Sequence, residues 1–157
     1  MDIPWTTELT YAGRLLLAVV LGLVIGYERE RRRRAAGLRT FGTVALGACL
    51  FSIISFVVVP EGRETTRIAA QVVTGIGFLG AGVILHGQEQ VRGLTTAATL
   101  WATAAVGMAA GYGLYIMAVV TTLLLLVLLM LWRLPIFDWH EGHDARPPGN
   151  GNGHAGH

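Results

Sequence analysis

The chain has 157 residues, of which 53% are hydrophobic and only 14% are charged. Soluble domains carry about 25% charged residues, so this composition excludes an ordinary soluble domain and indicates a polytopic membrane protein. All 12 basic residues are arginines, and the single cysteine, Cys49, excludes a disulfide within the chain.

Five apolar runs follow one another along the chain and predict an all-α bundle of about five transmembrane helices. The spans are expected at residues 9–27, 41–59, 68–85, 94–110 and 114–132. Residues 1–132 would then form one transmembrane domain. The segment 133–157, rich in Gly, Pro and His, is expected to be a disordered cytoplasmic tail.

The arginines predict how the bundle is oriented. With the amino terminus outside, the inner segments 28–40, 86–93 and the tail hold nine arginines, and the outer segments hold Arg14, Arg63 and Arg67. Because cytoplasmic loops carry the excess of basic residues, the carboxyl terminus is expected in the cytoplasm. Arg14, near the outer end of the first span, is expected to reach towards the lipid headgroups.

The third span is unusual because four glycines, Gly75, Gly77, Gly80 and Gly82, interrupt an uncharged run. Small residues allow close approach of neighbouring helices in lipid. On a helical wheel these residues occupy two opposed faces, which predicts that this helix packs in the middle of the bundle. A bulky residue at either Gly75 or Gly80 is then expected to disrupt the fold.

The fourth and fifth spans differ in composition. Thr96, Thr103 and Ala110 recur every seven residues among many alanines in the fourth span, so it is expected to pack tightly against the third. The fifth span is almost pure leucine over 123–131 and has no small face. It is predicted to lie at the periphery, facing lipid.

Charged and polar residues that could carry function gather at the two inner turns. Glu28, Arg39 and Thr40 flank the first turn, Arg92, Thr95 and Thr96 the second, and Gln71 lies in the third span. One interpretation is a local Glu28–Arg39 ion pair that closes the hairpin. The other is a small polar site made by Glu28, Arg39, Gln71 and Arg92, since charges near a membrane are retained when they are paired or functional.

The arginine run between these positions has a simpler interpretation. Arg31, Arg32, Arg33 and Arg34 are expected to face the headgroups and bind anionic lipid at the cytoplasmic surface. No hydrolase, metalloprotease or phosphate-loop motif occurs, and Gly75-x-Gly77-x-x-Gly80 lies inside an apolar span without a preceding strand. The sequence therefore predicts no enzyme, cofactor, metal site or nucleic-acid partner.

Four ordered stretches resemble the MgtC/SapB family of bacterial membrane proteins: residues 26–30, 36–40, 67–84 and 91–101. The resemblance is to a short, SapB-like form without the soluble carboxyl-terminal domain. It implies a multi-pass protein of the bacterial inner membrane. It also implies a link to magnesium limitation and stress adaptation, to intracellular survival and virulence, and to the ATP synthase as a candidate partner.

Two functions from different classes follow. The first is a regulatory or adaptor protein that acts through helix contacts with a membrane partner, because no acidic residue lies in the middle of a span. The second is a small ion or solute transporter or channel built as a homo-oligomer. A weak internal similarity between residues 26–48 and 82–104 favours the second, since parallel repeats occur in transporters.

Overall fold

A computed structural model describes residues 4–58, 67–86 and 91–131 and shows five α-helices. They are α1 (Trp5–Arg31), α2 (Leu38–Val57), α3 (Arg67–Val83), α4 (Leu94–Gly111) and α5 (Tyr115–Leu131). Two short strands, β1 (Leu85–His86) and β2 (Val91–Arg92), pair antiparallel between α3 and α4. The prediction of an all-α membrane bundle is confirmed, and each predicted span overlaps one helix. The expected tail, 133–157, lies outside the described residues.

The helices have the lengths and composition of membrane helices. Among the described residues, α1, α2 and α4 are long and apolar enough to cross a bilayer, whereas α3 and α5 are apolar but have only 17 residues. At 1.5 Å per residue such a helix measures about 26 Å, near the lower limit for a span. The first helix runs on to Arg31, because the arginines and glutamates that follow its apolar part are good helix formers.

Helix α4 is the centre of the bundle and contacts each of the other four helices. Its glycines allow the backbone of α2 to pack directly against the backbone of α4. A Cβ added to Gly107 would overlap the carbonyl oxygen of Ala45, and one added to Gly111 would lie 2.7 Å from that of Cys49. Thr96, as predicted for the small face of α4, is buried.

The α1–α2 hairpin is held by the same kind of contact. A Cβ at Gly22 would lie 2.7 Å from the Phe41 carbonyl oxygen, and one at Gly26 would lie 2.8 Å from the Cα of Leu38. In the turn, the Glu30 carboxylate accepts a hydrogen bond of 2.8 Å from the Leu38 N–H. Since the first N–H groups of a helix have no partner in their own helix, this bond stabilises the start of α2.

Helix α3 lies at the edge of the bundle, not in its middle as predicted. It contacts α4 and α2, and among its residues only Ala69, Ile76 and Gly80 are buried. The helical wheel correctly shows two small faces. It does not show whether a neighbour on such a face belongs to the same chain. Helix α5 is peripheral, as predicted, with Leu124 and Leu128 59% and 64% exposed.

Arg14, which is expected to reach towards the headgroups, is bound by other residues of the protein. Its Nη1 donates to the carbonyl oxygen of Gly111 at 2.8 Å, and its Nε donates to the Tyr115 hydroxyl at 3.1 Å. The guanidinium also lies 5.5 Å from the centre of the Tyr11 ring. The last carbonyls of a helix lack donors and carry partial negative charge, so the end of α4 attracts a cation. This contact places the start of α1 beside the start of α5.

Candidate functional site

The carboxyl-terminal end of α1 carries a buried ion pair. Glu28 is 8% exposed and Arg29 is 2% exposed. The Arg29 Nη1 donates to Glu28 Oε2 at 3.4 Å, and the Arg32 Nε contacts the other carboxylate oxygen. The Glu28 carboxylate thus contacts two guanidinium groups. Arg29 belongs to the same helix, and Arg32 is the residue that directly follows it.

Arg29 is a site residue that sequence reasoning missed. Its Nε and Nη2 atoms are buried and have no hydrogen-bond partner among the described residues. The signal was present in the sequence, because Arg29 continues the spacing of Ala18, Gly22 and Ile25, all of which are buried. This stripe of positions 4, 3 and 4 residues apart is the buried face of an α-helix. This stripe is hard to recognise in the sequence, because Arg29 lies within a segment of seven residues that are all charged.

Glu28 also lines a cavity of about 300 Å³ between the carboxyl-terminal ends of α1 and α5. We call it the α1–α5 cavity; its walls are Val24, Tyr27, Glu28, Arg31, Arg32, Leu126 and Met130. The charged groups come from the end of α1, and the apolar side chains come from α5 and the preceding turn of α1. Of the four consecutive arginines, Arg33 and Arg34 do not line the cavity.

The structure does not form the predicted pair between Glu28 and Arg39. Among the described residues, the salt bridges of Glu28 are with Arg29 and Arg32. Arg39 and Thr40 are exposed on the first turn of α2. The physical reason is spacing, since Arg32 lies four positions after Glu28 and reaches it without crossing the interhelical turn.

The other predicted site residues are spread over the molecule. Gln71 is exposed near the start of α3, whereas Arg92 and Thr95 are exposed at the opposite end, where α4 begins. Thr96 is 3% exposed and packs in the core. Gln71 does not line the cavity that contains Glu28. The described residues therefore do not form the single polar site that was one of the two predictions, made of Glu28, Arg39, Gln71 and Arg92.

Gln71 belongs to a second cavity, an open groove of about 390 Å³ between α2 and α3. We call it the α2–α3 groove. It is lined by Thr43, Val44, Gly47, Ala48, Phe51, Ile68, Gln71, Val72, Gly75, Ile76, Leu79 and Ala104. The Thr43 hydroxyl donates to the Arg39 carbonyl oxygen at 2.8 Å, so it is already satisfied. The Gln71 amide makes no hydrogen bond with any described residue, and it is the strongest polar group of an otherwise apolar surface.

The four glycines of α3 have different surroundings. Gly80 lies against α4, where an added Cβ would be 3.5 Å from the Cβ of Ala97. Gly75, Gly77 and Gly82 have nothing within 4 Å of an added Cβ in the described structure. Their role in helix packing stays a prediction, and it now concerns contacts with another molecule.

These features define a membrane protein of the all-α class, with a charged cavity at the carboxyl-terminal ends of α1 and α5 and an apolar groove between α2 and α3. The sequence pattern of the MgtC family matches residues 15–134. The chain belongs to the MgtC family.

Named relatives support the same assignment. The protein MgtC of Salmonella typhimurium strain LT2 is 48% identical over 123 residues, which are 78% of this chain and 52% of the relative. The protein MgtC of Brucella abortus is 47% identical over 129 residues, 82% of this chain and 54% of the relative. A Synechocystis protein is 53% identical over 114 residues, 73% of this chain and 48% of the relative. The chain thus spans about half the length of these relatives. No solved structure gives a significant match.

Proposed function

We propose that the protein is a non-enzymatic adaptor of the bacterial inner membrane that binds a transmembrane helix of a partner protein in the α2–α3 groove. The observation that carries this proposal is the uncovered glycine surface of α3 beside that groove. Gly75 lines the groove, and it has nothing within 4 Å of an added Cβ.

The energetics of helices in lipid favour a helical occupant. Glycine in a helix interior is less favourable than alanine by about 1 kcal/mol in water, and Gly75, Gly77 and Gly82 gain no contact within the described structure that offsets this. Small residues permit a second backbone to approach closely, and interhelical hydrogen bonds add to the association. The exposed Gln71 amide supplies such a bond to a partner side chain.

Family membership suggests the setting for this adaptor. We propose a role in adaptation to magnesium limitation or stress, with a link to intracellular survival, because the chain matches proteins named MgtC over most of its length. The membrane sector of the ATP synthase is the candidate partner implied by the resemblance. It is a suitable class of target, since it offers transmembrane helices to the groove.

We also propose five spans with the amino terminus outside and the carboxyl terminus in the cytoplasm. Two contacts support an odd number of crossings. Arg14 joins the start of α1 to the start of α5, and the α1–α5 cavity joins their ends. Reporter fusions after Glu8 and after Trp132 are expected to report opposite sides of the membrane. Reporters on the same side would contradict the five-span arrangement.

The adaptor is tested by a photo-crosslinking residue at Leu79, which lines the groove and is 50% exposed. In native membranes we expect a discrete adduct with a second membrane protein, identified by mass spectrometry. Gly75→Leu fills the groove and should abolish the adduct while leaving the melting temperature unchanged. Gly13→Leu is the matched control, because Gly13 also has nothing within 4 Å of an added Cβ and does not line the groove.

The result also separates the two functional classes. An adduct formed only between two copies of the chain would indicate a homo-oligomer and contradict a heterologous partner at this groove. Specific, saturable ion flux through the purified protein in liposomes would favour the transporter or channel instead. The adaptor proposal requires that Gly75→Leu lose both the adduct and the ability to support growth at low magnesium concentration, and that Gly13→Leu lose neither.

A further inference from the structure

We propose that the α1–α5 cavity is a specific binding site for an anionic phospholipid. The phosphate would contact Arg31 and Arg32, and an acyl chain would lie along Val24, Leu126 and Met130. This site is independent of the adaptor proposal, because the α2–α3 groove and the α1–α5 cavity share no lining residue.

The charges at the cavity favour an anion. Among the described residues Glu28 is the only carboxylate in the cavity wall, and Arg29 and Arg32 both contact it. Arg31 adds a further positive charge and forms no salt bridge with any acidic group among the described residues. One carboxylate against three guanidinium groups leaves an excess of positive charge.

The geometry prepares one of these arginines for a ligand. Glu28 contacts the Nε atom of Arg32, so the two terminal nitrogens of the Arg32 guanidinium are not used by that ion pair. Guanidinium groups bind phosphate oxygens through pairs of N–H groups, and an arginine already held in place loses less conformational entropy on binding. The buried carboxylate therefore acts as a positioning group for the ligand-binding arginine.

The apolar wall distinguishes a lipid from a free phosphate ion. Val24 lies about two helical turns before Arg31 and Arg32, and Leu126 and Met130 lie one turn apart on α5. A soluble anion gains nothing from these side chains, whereas an acyl chain does. Tyr27, which also lines the cavity and is 59% exposed, has the amphipathic ring that is enriched at the level of lipid headgroups.

The chain offers a matched test, because two exposed arginines lie two positions apart and differ in whether they line the cavity. Arg31 lines the cavity and Arg33 does not. Binding is measured by native mass spectrometry on detergent-solubilised protein, with phosphatidylglycerol, phosphatidylcholine and inorganic phosphate as probes. We expect phosphatidylglycerol to bind wild type more tightly than phosphatidylcholine does. Arg31→Gln should weaken it about tenfold, the loss expected for a hydrogen bond between charged groups, and Arg33→Gln should not.

The apolar wall is tested by a second pair of variants. Leu126→Trp fills the cavity and should lower phosphatidylglycerol binding to a similar extent, whereas Leu124→Trp, at an exposed position outside the cavity, should not. All four variants are first compared with wild type by thermal melting without added lipid, so that loss of binding is separated from loss of fold. If Arg31→Gln does not fold, the Leu126 and Leu124 pair decides.

Each other outcome overturns the site. Equal losses in Arg31→Gln and Arg33→Gln would mean a diffuse electrostatic attraction to the membrane surface. If inorganic phosphate binds wild type and Leu126→Trp equally well, the ligand of the cavity would be a soluble anion. Equal binding of phosphatidylglycerol and phosphatidylcholine would remove the role of the charge.

Discussion

Gly107→Leu is expected to prevent folding of the bundle. A side chain at this position would overlap the carbonyl oxygen of Ala45, so α2 would have to move away from α4 along their shared interface. Overpacking typically lowers the free energy of unfolding by about 1–3 kcal/mol, and more where the neighbour is backbone, which cannot change rotamer. The measurement is the yield and melting temperature of monodisperse protein in detergent, where we expect little or no folded material.

The matched control for this variant is Gly77→Leu. Gly77 has nothing within 4 Å of an added Cβ and lies outside the α2–α3 groove. Because leucine is a better helix former than glycine by roughly 0.8 kcal/mol, this variant should melt at or slightly above the wild-type temperature. If Gly107→Leu and Gly77→Leu melt alike, α4 is not the central helix.

Glu28→Gln is expected to destabilise strongly the end of the bundle where α1 terminates. The substitution removes the carboxylate that neutralises Arg29, a guanidinium that is 2% exposed, and it also releases Arg32. Breaking one side of a buried ion pair lowers the free energy of unfolding by about 3–5 kcal/mol, because the remaining charge stays buried without its partner. Unfolding in detergent of constant composition measures the effect.

Two further variants isolate the buried pair. Glu30→Gln removes a neighbouring exposed charge but keeps a carbonyl oxygen for the Leu38 N–H, so its effect should stay below about 1 kcal/mol. The double variant Glu28→Gln/Arg29→Met should be more stable than Glu28→Gln alone, since no unpaired charge remains at either position. A Glu28→Gln protein that unfolds like Glu30→Gln would show that the buried pair contributes nothing to stability.

The position of α3 shows where reasoning from the sequence stopped. The helical wheel places small residues on two faces of α3 and predicts that a bulky residue at Gly75 or at Gly80 disrupts the fold. The structure separates the two sites, because Gly80 contacts Ala97 of α4 and Gly75 opens onto the α2–α3 groove. The glycines that bring helices together within the chain form two Gly-x-x-x-Gly pairs, Gly22 with Gly26 and Gly107 with Gly111. This spacing is typical of close helix contacts in membranes, but it is less conspicuous than the four glycines of α3.

The charged residues illustrate the same limit. A charge near the membrane needs a partner, which makes Glu28 a candidate site residue in the sequence, and its partners in the structure are Arg29 and Arg32 instead of Arg39. Arg29 and Arg32 pair with Glu28 because α1 continues as a helix beyond its apolar part. This brings the three side chains together at one end of the helix. The sequence predicts that the four consecutive arginines, 31–34, form one cluster that faces the headgroups. The fold divides it, with Arg31 and Arg32 at the cavity and Arg33 and Arg34 outside it.

By itself, the sequence determined the helical class, the number and approximate bounds of the helices, and membership of the family. These properties depend on local features, namely the length of apolar runs, the residues that end them, and the order of short motifs. Only the tertiary structure decided which helix is central, where Arg14 binds, and which residues line the two cavities. Those outcomes depend on contacts such as that of Arg14 with Gly111, 97 positions apart. Periodicity within one helix shows which face is buried but not which neighbour covers it.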